Sequence, residues 1–242
     1  MKKNKIKLGV NIDHAATLRQ VRGGTTSYPN LVSLVRQSAK AGADQVTIHL
    51  REDRRHIQLG DLVALSKSCP VSLNLEMAVT PEMTKLARKY KPDWVCLVPE
   101  KRQELTTEGG LDVIKNAHRI KAVMQRLQSV GIEISFFIGP DLKQVQKSFE
   151  LGADAVEFHT GHWVSYAGEK KEKEWNRLVK AAKLCHYLGM RVHAGHGLDY
   201  AATAQIKKLP FLQEVNIGHS IICYAVQEGI TPVIRKFKKI LK

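Results

Sequence analysis

The segment His193-Ala194-Gly195-His196-Gly197 places two imidazoles and two glycines directly after a short apolar run. Histidine is the side chain that titrates nearest to neutral pH, and glycine lets a backbone approach a ligand or adopt a positive φ. The segment therefore suggests a proton-transfer site beside a bound small molecule. A tight turn with two solvated histidines would give the same pattern, so the segment alone leaves both interpretations open.

The same pattern recurs along the chain, because other apolar runs also end in polar or ionisable residues. Six of the ten histidines lie at such ends. Histidines and a buried glutamate can exchange protons near neutral pH, so the pattern predicts general acid–base chemistry. The run ends are Asn11, Asp13 and His14; His49 and Arg51; Glu76; residues 99–102; Glu157 and His159; His193 and His196; Gly218 and His219.

Several residues are suited to binding phosphate. Arg22, Arg51 and one of the arginines at 54–55 offer forked donors that match phosphate oxygens. Gly197 and Gly218 precede the last helical patterns, where backbone N–H groups could hold a second anion. Two anion sites imply either two phosphorylated substrates or one bisphosphate.

A metal site is the alternative to metal-free acid–base chemistry. His193 and His196, together with His159 and Glu157, could ligate zinc. However, the first strand-like run is not followed by a His-x-His pair, and no cysteine lies near these positions. We therefore expect acid–base chemistry without a metal.

The elements that must position these residues alternate between strand-like and helical patterns. Eight such units in 242 residues match a closed (β/α)₈ barrel formed by a single domain over residues 1–242. The strand-like runs are residues 6–12, 45–50, 71–75, 93–98, 132–138, 155–158, 190–192 and 214–217. The helical patterns lie near residues 31–39, 59–67, 81–90, 111–130, 141–151, 170–188, 201–208 and 221–240.

The barrel is favoured over an open doubly wound sheet, because no Gly-x-Gly-x-x-Gly turn follows the first strand-like run. In a barrel the functional site lies at the C-terminal ends of the strands. The polar run ends described above would therefore face one another across a single opening. Gly-Ala-Asp occurs at 42–44 and again at 152–154, and we interpret both copies as helix-to-strand connections.

Composition restricts the class of protein. Hydrophobic residues make up 43% and charged residues 25% of the chain, as in globular domains. We expect neither a membrane span nor a signal peptide, and the four widely spaced cysteines favour a reducing cytoplasm. The net charge of +15 favours anionic partners. No nucleic-acid motif is recognisable, and much of the excess charge lies in helix-like tracts such as residues 170–173 and 235–239, which we interpret as solvated helix faces. Small phosphorylated ligands explain a basic interior site equally well.

Six motifs, in order from residue 9 to residue 219, resemble the pyridoxine 5′-phosphate synthase family. They are GVNIDH at 9–14, HLREDRRH at 49–56, NLEMA at 74–78, LVPEKR at 97–102 with TTEGG at 106–110, AGHGL at 194–198 and NIGH at 216–219. The resemblance implies a (β/α)₈ barrel with additional helices that assembles as a homo-octamer, a tetramer of dimers. It also implies an enzyme that needs no metal or organic cofactor.

The implied reaction condenses 3-amino-2-oxopropyl phosphate with 1-deoxy-D-xylulose 5-phosphate. Its products are pyridoxine 5′-phosphate, inorganic phosphate and water. By motif, His49 and Glu76 resemble the proton acceptors, His196 the proton donor and Glu157 a carboxylate that stabilises the transition state. The amino-ketone phosphate would be held by Asn11, Arg22, Gly197, Gly218 and His219, and the deoxyxylulose phosphate by Asp13, His14, Arg51, His56 and Thr106.

One position departs from the family pattern. The residue three places before the donor histidine is commonly asparagine and here is His193, which adds a titratable group or faces away. The rival functions are another phosphate-handling barrel isomerase or aldolase, a metal-dependent hydrolase and a nucleic-acid binder. The polar loops at 52–56 and 106–110 are candidate lids.

Overall fold

The eight apolar runs form parallel strands that are hydrogen-bonded in sequence order into a closed barrel, with β8 pairing back onto β1. The computed structural model describes residues 5–100 and 109–242. The strands are β1 Lys7–Asn11, β2 Gln45–His49, β3 Ser72–Met77, β4 Trp94–Leu97, β5 Glu133–Ile138, β6 Ala155–His159, β7 Arg191–Gly195 and β8 Leu212–Ile217. The expected barrel is confirmed.

Helices surround the barrel and include more than one per strand at several positions. They are α1 Asp13–Gln20, α2 Leu31–Ala41, α3 Leu59–Ser68, α4 Pro81–Tyr90, α5 Ala117–Gln128, α6 Leu142–Glu150, α7 Gly161–Ser165, α8 Gly168–Tyr187, α9 Tyr200–Ile206, α10 His219–Glu228 and α11 Ile230–Ile240. None of the helices in the described part of the chain combines the length and the apolar character that a membrane span requires.

The strands separate an apolar layer from a polar barrel interior, because successive side chains of a strand point to opposite faces. Val10, Ile48 and Leu75 are fully buried in the apolar core that lies between the sheet and the helices. The alternate positions of the strands carry polar side chains. Thr47 and Asn216 are within hydrogen-bonding distance across the interior, with 3.3 Å between the Thr47 Oγ1 and Asn216 Oδ1 atoms.

Aspartates at the starts of strands fasten neighbouring strands together. The Oδ2 atoms of Asp44, Asp93 and Asp154 each accept a backbone N–H from the preceding strand at 2.8 Å. Gly42 and Gly152 have positive φ values of 109° and 83°, which glycine adopts without strain. The two Gly-Ala-Asp segments are therefore helix stops followed by strand anchors, as the sequence indicates.

Several helix boundaries differ from the sequence-based expectation. The helix expected at 111–130 begins only at Ala117, because residues 112–116 form turns in which Asp112 Oδ1 accepts the Lys115 N–H. The helix expected at 221–240 is two helices, because Gly229 has a φ of 81° and ends α10. Two elements were not expected: α1 follows β1 almost directly, and α7 follows β6.

Candidate active site

A cavity of about 830 Å³ opens at the C-terminal ends of the strands. This volume is within the range typical of small-molecule sites. Its lining includes Asn11, His14, His49, Arg51, Glu76, Glu157, His196, Gly197, Gly218 and His219, all of which the sequence proposes as site residues. It also includes Val98, Pro99, Gly109, Phe137, His159, Leu198, Asp199, Asn216, Ile217, Ser220, Cys223 and Tyr224.

His49, the last residue of β2, lies between two carboxyl groups. Its Nε2 atom is 3.0 Å from Glu100 Oε1, and its Nδ1 atom is 3.9 Å from Glu76 Oε2. The second oxygen of Glu100 accepts the backbone N–H of Glu52 at 3.0 Å. The contact with Glu100 therefore holds the Nε2 edge of the imidazole, and His49 and Glu76 both line the cavity.

The supporting residues of this group come from β1 and from the start of α1. Asp13 Oδ1 accepts the backbone N–H of His49 at 2.8 Å, and Asp13 Oδ2 accepts from Asn11 Nδ2 at 2.9 Å. The Asn11 amide also approaches Glu76 Oε2 at 3.5 Å. Asp13 is buried and is not among the cavity-lining residues, so it holds neighbouring groups rather than facing the opening.

The two carboxyls beside His49 have opposite protonation tendencies. Burial raises the pKa of Glu76 well above its ordinary value, and the nearby Asp13 and Glu157 raise it further. Burial also opposes ionisation of Glu100, but hydrogen bonds from His49 and from the Glu52 backbone outweigh it and lower the pKa of Glu100. Of the two carboxyl groups beside His49, the one at Nε2 therefore ionises more readily, and the one near Nδ1 holds its proton to higher pH.

Glu157 lies at the bottom of the cavity, within the barrel. Its Oε2 atom accepts a hydrogen bond from Asn216 Nδ2 at 2.8 Å, and the same amide is 3.3 Å from Glu214 Oε1. Burial raises the pKa of Glu157 to about 8, although the Asn216 hydrogen bond opposes the shift. Asn216 is a site residue that the sequence analysis quoted in a motif without giving it a role.

His196 and His159 face each other as a stacked pair, with 4.7 Å between ring centroids and 25° between planes. Partial burial lowers the pKa of His196, and burial together with the neighbouring His196 lowers the pKa of His159 to about 4. The sequence places His159 at the end of a strand and among conceivable zinc ligands, and the structure adds it to the lining of the cavity.

The start of α10 is the clearest candidate for binding an anion. Gly218 is the N-cap residue, the first turn contains no acidic residue, and Gly218, His219 and Ser220 all line the cavity. The edge of the His14 ring meets the His219 ring at 5.0 Å between centroids. The start of α9 differs, because the Asp199 side chain already caps it by accepting the Ala202 N–H.

Not every proposed site residue lies at the cavity. Arg22 is exposed on the turn after α1 and is not among the described lining residues, and Arg51 pairs with Asp53 at its edge. His56 is half-buried, with its ring 6.1 Å from that of His49, and burial lowers its pKa to about 4. Thr106 lies outside the described residues.

His193 is not at the C-terminal ends of the strands, where the sequence pattern placed it. It belongs to β7 and points into the barrel, with its Nδ1 atom 3.7 Å from Glu214 Oε1 and its ring 5.5 Å from Trp94. Burial lowers the pKa of His193 to about 3. The strand extends three residues further than expected, to Gly195, so only His196 reaches the opening.

Among the described residues, the histidines that the sequence offered as zinc ligands do not form a group with metal-ligand spacing. A different group, Asp13, His49 and Glu76, has ligand atoms within 4.8 Å of one another. That spacing would suit a divalent cation, but a proton competes for Glu76 because burial raises its pKa.

Glu100 belongs to the candidate site by its contact with His49, and the sequence alone does not assign it a role. It lies within the polar 99–102 run end, which supplied a signal, but only the folded chain brings its carboxylate to His49. Phe137 and Tyr224 also line the cavity and carried no signal, because single aromatic residues in a strand or a helix usually belong to a core.

A parallel barrel whose ionisable side chains converge at the carboxyl ends of its strands is typical of (β/α)₈-barrel enzymes. Comparison of the sequence identifies the family. Residues 8–242 match the family described as pyridoxal phosphate biosynthesis protein PdxJ. The chain belongs to this family, and the resemblance drawn from its motifs is confirmed.

Curated relatives extend over nearly the whole chain. A pyridoxine 5′-phosphate synthase of Bdellovibrio bacteriovorus is 64% identical over 240 residues, covering 99% of this chain and 100% of that protein. One from Magnetococcus marinus is 48% identical over 238 residues, covering 98% of this chain and 97% of that protein.

Solved structures support the fold alone. A phosphoribosyl anthranilate isomerase from Thermus thermophilus matches with a TM-score of 0.62 and 12% identity over 98% of each chain. An aldolase described as 4-hydroxy-2-oxoglutarate aldolase/2-deydro-3-deoxyphosphogluconate aldolase gives a TM-score of 0.63 and 17% identity, covering 99% of this chain and 96% of the other.

Proposed function

We propose that this chain condenses 3-amino-2-oxopropyl phosphate with 1-deoxy-D-xylulose 5-phosphate to form pyridoxine 5′-phosphate, phosphate and water. The observation that carries the proposal is the convergence of His49, Glu76, Glu157 and His196 on one cavity, in a chain 64% identical to a protein named for that product. Ring closure requires imine formation, loss of water, elimination of phosphate and carbon–carbon closure. Each of these steps moves protons.

The environments of the four residues support distinct roles. Glu100 accepts the Nε2–H of His49 and so leaves the Nδ1 lone pair to accept a proton. Glu76 is a stronger base than an exposed carboxylate once it loses its proton, because burial raises its pKa. Glu157, at the bottom of the cavity, can stabilise a developing positive charge once it has lost the proton that its raised pKa of about 8 retains, while His196, which also lines the cavity, donates a proton.

Substrate phosphates have two candidate anchors. The amides of Gly218 and His219 at the start of α10 suit one phosphate, with His14 beside them. Arg51, which lines the cavity, is the proposed anchor of the second phosphate, with His56 and Thr106 as its proposed partners. Arg22 remains a proposed phosphate ligand although it lies away from the cavity in the single chain.

We also propose that the chain works as a cytoplasmic homo-octamer. Large apolar side chains stay exposed beside Arg22: Leu18 is 53%, Val21 is 74% and Tyr28 is 69% exposed. An exposed apolar patch of this kind is usually covered by a partner. Light scattering on the purified protein tests the stoichiometry, and a monomer at micromolar concentration would contradict the assembly.

The decisive experiment supplies both phosphorylated substrates in metal-free buffer with a chelator and follows pyridoxine 5′-phosphate by its absorbance. We expect product formation, with Glu76→Gln and His196→Ala each lowering turnover by about 100-fold or more. Glu150→Gln, on the exposed face of α6, is the matched control and should leave turnover unchanged. Binding of both substrates by folded protein without product would show that the chain performs other chemistry, and loss of activity in the chelator would contradict the metal-free mechanism.

A further inference from the structure

His196 is held in an unusual backbone conformation. Its φ is +76°, a left-handed value that is sterically unfavourable for a residue with a side chain. The residue follows β7 directly and precedes Gly197, whose φ is +79°. A residue in such a conformation persists only where the surrounding structure holds it there, and such residues cluster at functional sites. Specific contacts must therefore hold His196 in this conformation.

Thr160 holds the two backbone carbonyl groups that precede and follow the Cα atom of His196. Its hydroxyl is 2.8 Å from the carbonyl oxygen of Gly195 and 2.6 Å from that of His196, so one proton is shared between two acceptors. The Thr160 backbone N–H also donates to the Gly195 carbonyl at 2.9 Å. Thr160 is fully buried, so water does not compete for these bonds.

His159 holds the side chain of His196 by flat packing. The two rings stack at 4.7 Å, and Phe137 and His162 contact the His159 ring edge-on at 5.3 Å and 5.6 Å. Among the residues that the structure describes, the buried His159 Nδ1 atom has no hydrogen-bond partner. The described ring contacts that hold His159 are therefore aromatic packing contacts.

Gly161 leaves the space that the stacked pair occupies. A Cβ atom at this position would lie 2.7 Å from His159 Cε1 and 2.9 Å from His196 Cδ2. Both distances are too short, so any side chain at 161 would displace one of the rings. Three consecutive residues at the end of β6 and the start of α7 thus constrain His196. Thr160 bonds to its backbone, His159 stacks on its ring, and Gly161 leaves space for the two rings.

We propose that His159 and Thr160 are positioning residues for His196, with Thr160 setting its backbone and His159 setting the plane of its imidazole. The inference deepens the proposed function, because it treats His196 as the group that transfers a proton at the cavity. Burial lowers the pKa of His159 to about 4, so near neutral pH its ring is uncharged and does not repel a protonated His196.

The first test replaces the Thr160 hydroxyl. Thr160→Val keeps the shape of the side chain and removes its bonds to both carbonyls, so we expect kcat to fall about 10- to 100-fold while KM for each substrate changes less than about twofold. Thr160→Ser restores the hydroxyl and should recover most of kcat. Thr203→Val is the matched control, since the Thr203 hydroxyl is buried without a described partner. A Thr160→Val enzyme with normal kcat, or one that serine does not rescue, would overturn the role of Thr160.

The second test separates packing from proton transfer at His159. His159→Leu removes the flat ring and should lower kcat by about tenfold, whereas His159→Phe keeps a flat ring and should retain most of it. His186→Leu removes an exposed histidine stacked on Phe211 at 3.8 Å and should have no effect. If His159→Phe is as slow as His159→Leu, a ring nitrogen of His159 takes part directly and the packing role is wrong.

A third readout does not depend on turnover. The rate at which diethyl pyrocarbonate modifies His196, located by mass spectrometry, should rise in Thr160→Val, His159→Leu and Gly161→Ala because the ring is released from its stack. It should stay unchanged in Thr203→Val. Unchanged modification in all three variants overturns the inference whether or not the chain makes product. Conversely, faster modification in a chain that makes no product supports the inference and contradicts only the proposed function.

Discussion

The site depends on small differences in environment between residues of the same type. Glu76 and Glu100 both lie beside His49, yet burial raises the pKa of the first, while hydrogen bonds from His49 and the Glu52 backbone lower that of the second. The histidine thus lies between a carboxyl group with a raised pKa and one with a lowered pKa. Pairs of titratable groups whose environments push their pKa values apart are typical of acid–base sites.

Replacing Glu100 by glutamine tests whether this pairing matters. Glu100→Gln keeps an oxygen that can accept from His49 Nε2 but removes the negative charge that lies beside the imidazole. We expect turnover to fall about tenfold or more with little change in the Tm of unfolding. Glu82→Gln is the control, because that exposed carboxylate contacts only the outer Arg54 among the described ion pairs. Equal turnover in both variants would mean that Glu100 has no part in setting the state of His49.

At the scale of strands and helices, the absence of a side chain at Gly9 leaves room for another residue in the interior of the barrel. A Cβ atom on Gly9 would lie 1.9 Å from Asn216 Oδ1, so β1 carries no side chain where the Asn216 amide reaches across from β8. Asn216 in turn holds Glu157. A single backbone position in β1 therefore determines where a carboxyl group of β6 can sit.

Gly9→Ala should disturb this arrangement. The methyl group forces Asn216 away from Glu157, and we expect a loss of about 1–3 kcal/mol in the free energy of unfolding, as for overpacked cores. Chemical denaturation measures this change. Gly60→Ala is the matched control, since a Cβ atom there meets nothing within 4 Å and alanine favours the helix α3. A Gly9→Ala protein as stable as Gly60→Ala would show that Asn216 can relax at no cost.

The strands were the most predictable elements, because each contains a short apolar run, and an aspartate marks the start of three of them, at Asp44, Asp93 and Asp154. The exact end of β7 was not predictable. Ala194 and Gly195 give no signal for strand or loop, yet both pair with β6 and β8, which moves His193 into the barrel. The end of β7 is set by its pairing with β6 and β8. A local sequence pattern does not contain these contacts between segments that are distant in the chain.

The helices show the same limit. The start of α1 has no side-chain cap at Ile12, so nothing in the sequence marks it. By contrast, Thr80 with Pro81 predicted the start of α4, and the Thr80 hydroxyl does accept the Met83 N–H. Candidate site residues at strand ends were found because the barrel brings them together, whereas Glu100 and Asn216 needed the distances themselves.

At the scale of the whole molecule, several ionisable groups are buried in the barrel. They should make the free energy of unfolding decrease both as the pH falls and as it rises. Burial lowers the pKa of His193 to about 3 and that of His159 to about 4, so stability is lost as pH falls below their ordinary value of 6.5. Burial raises the pKa of Glu214 to about 7 and that of Glu157 to about 8 from 4.5. These carboxyls bind a proton more tightly in the folded chain, so the stability that they contribute is lost as pH rises toward 8.

The alkaline side of this profile gives a direct test on the ligand-free protein. Between pH 6.5 and 8.5 the unfolded chain holds Glu157 ionised throughout, while the folded chain releases its proton near pH 8, so Tm should fall across this interval. Glu157→Gln keeps the acceptor for Asn216 and removes the titration, and it should flatten the fall. Glu150→Gln should not, because Lys147 lowers the pKa of that exposed carboxylate and it is ionised in both states. Parallel curves of Tm against pH for the wild-type and Glu157→Gln proteins would mean that Glu157 is already ionised at pH 6.5, and the carboxylate would then face the substrate as a fixed negative charge.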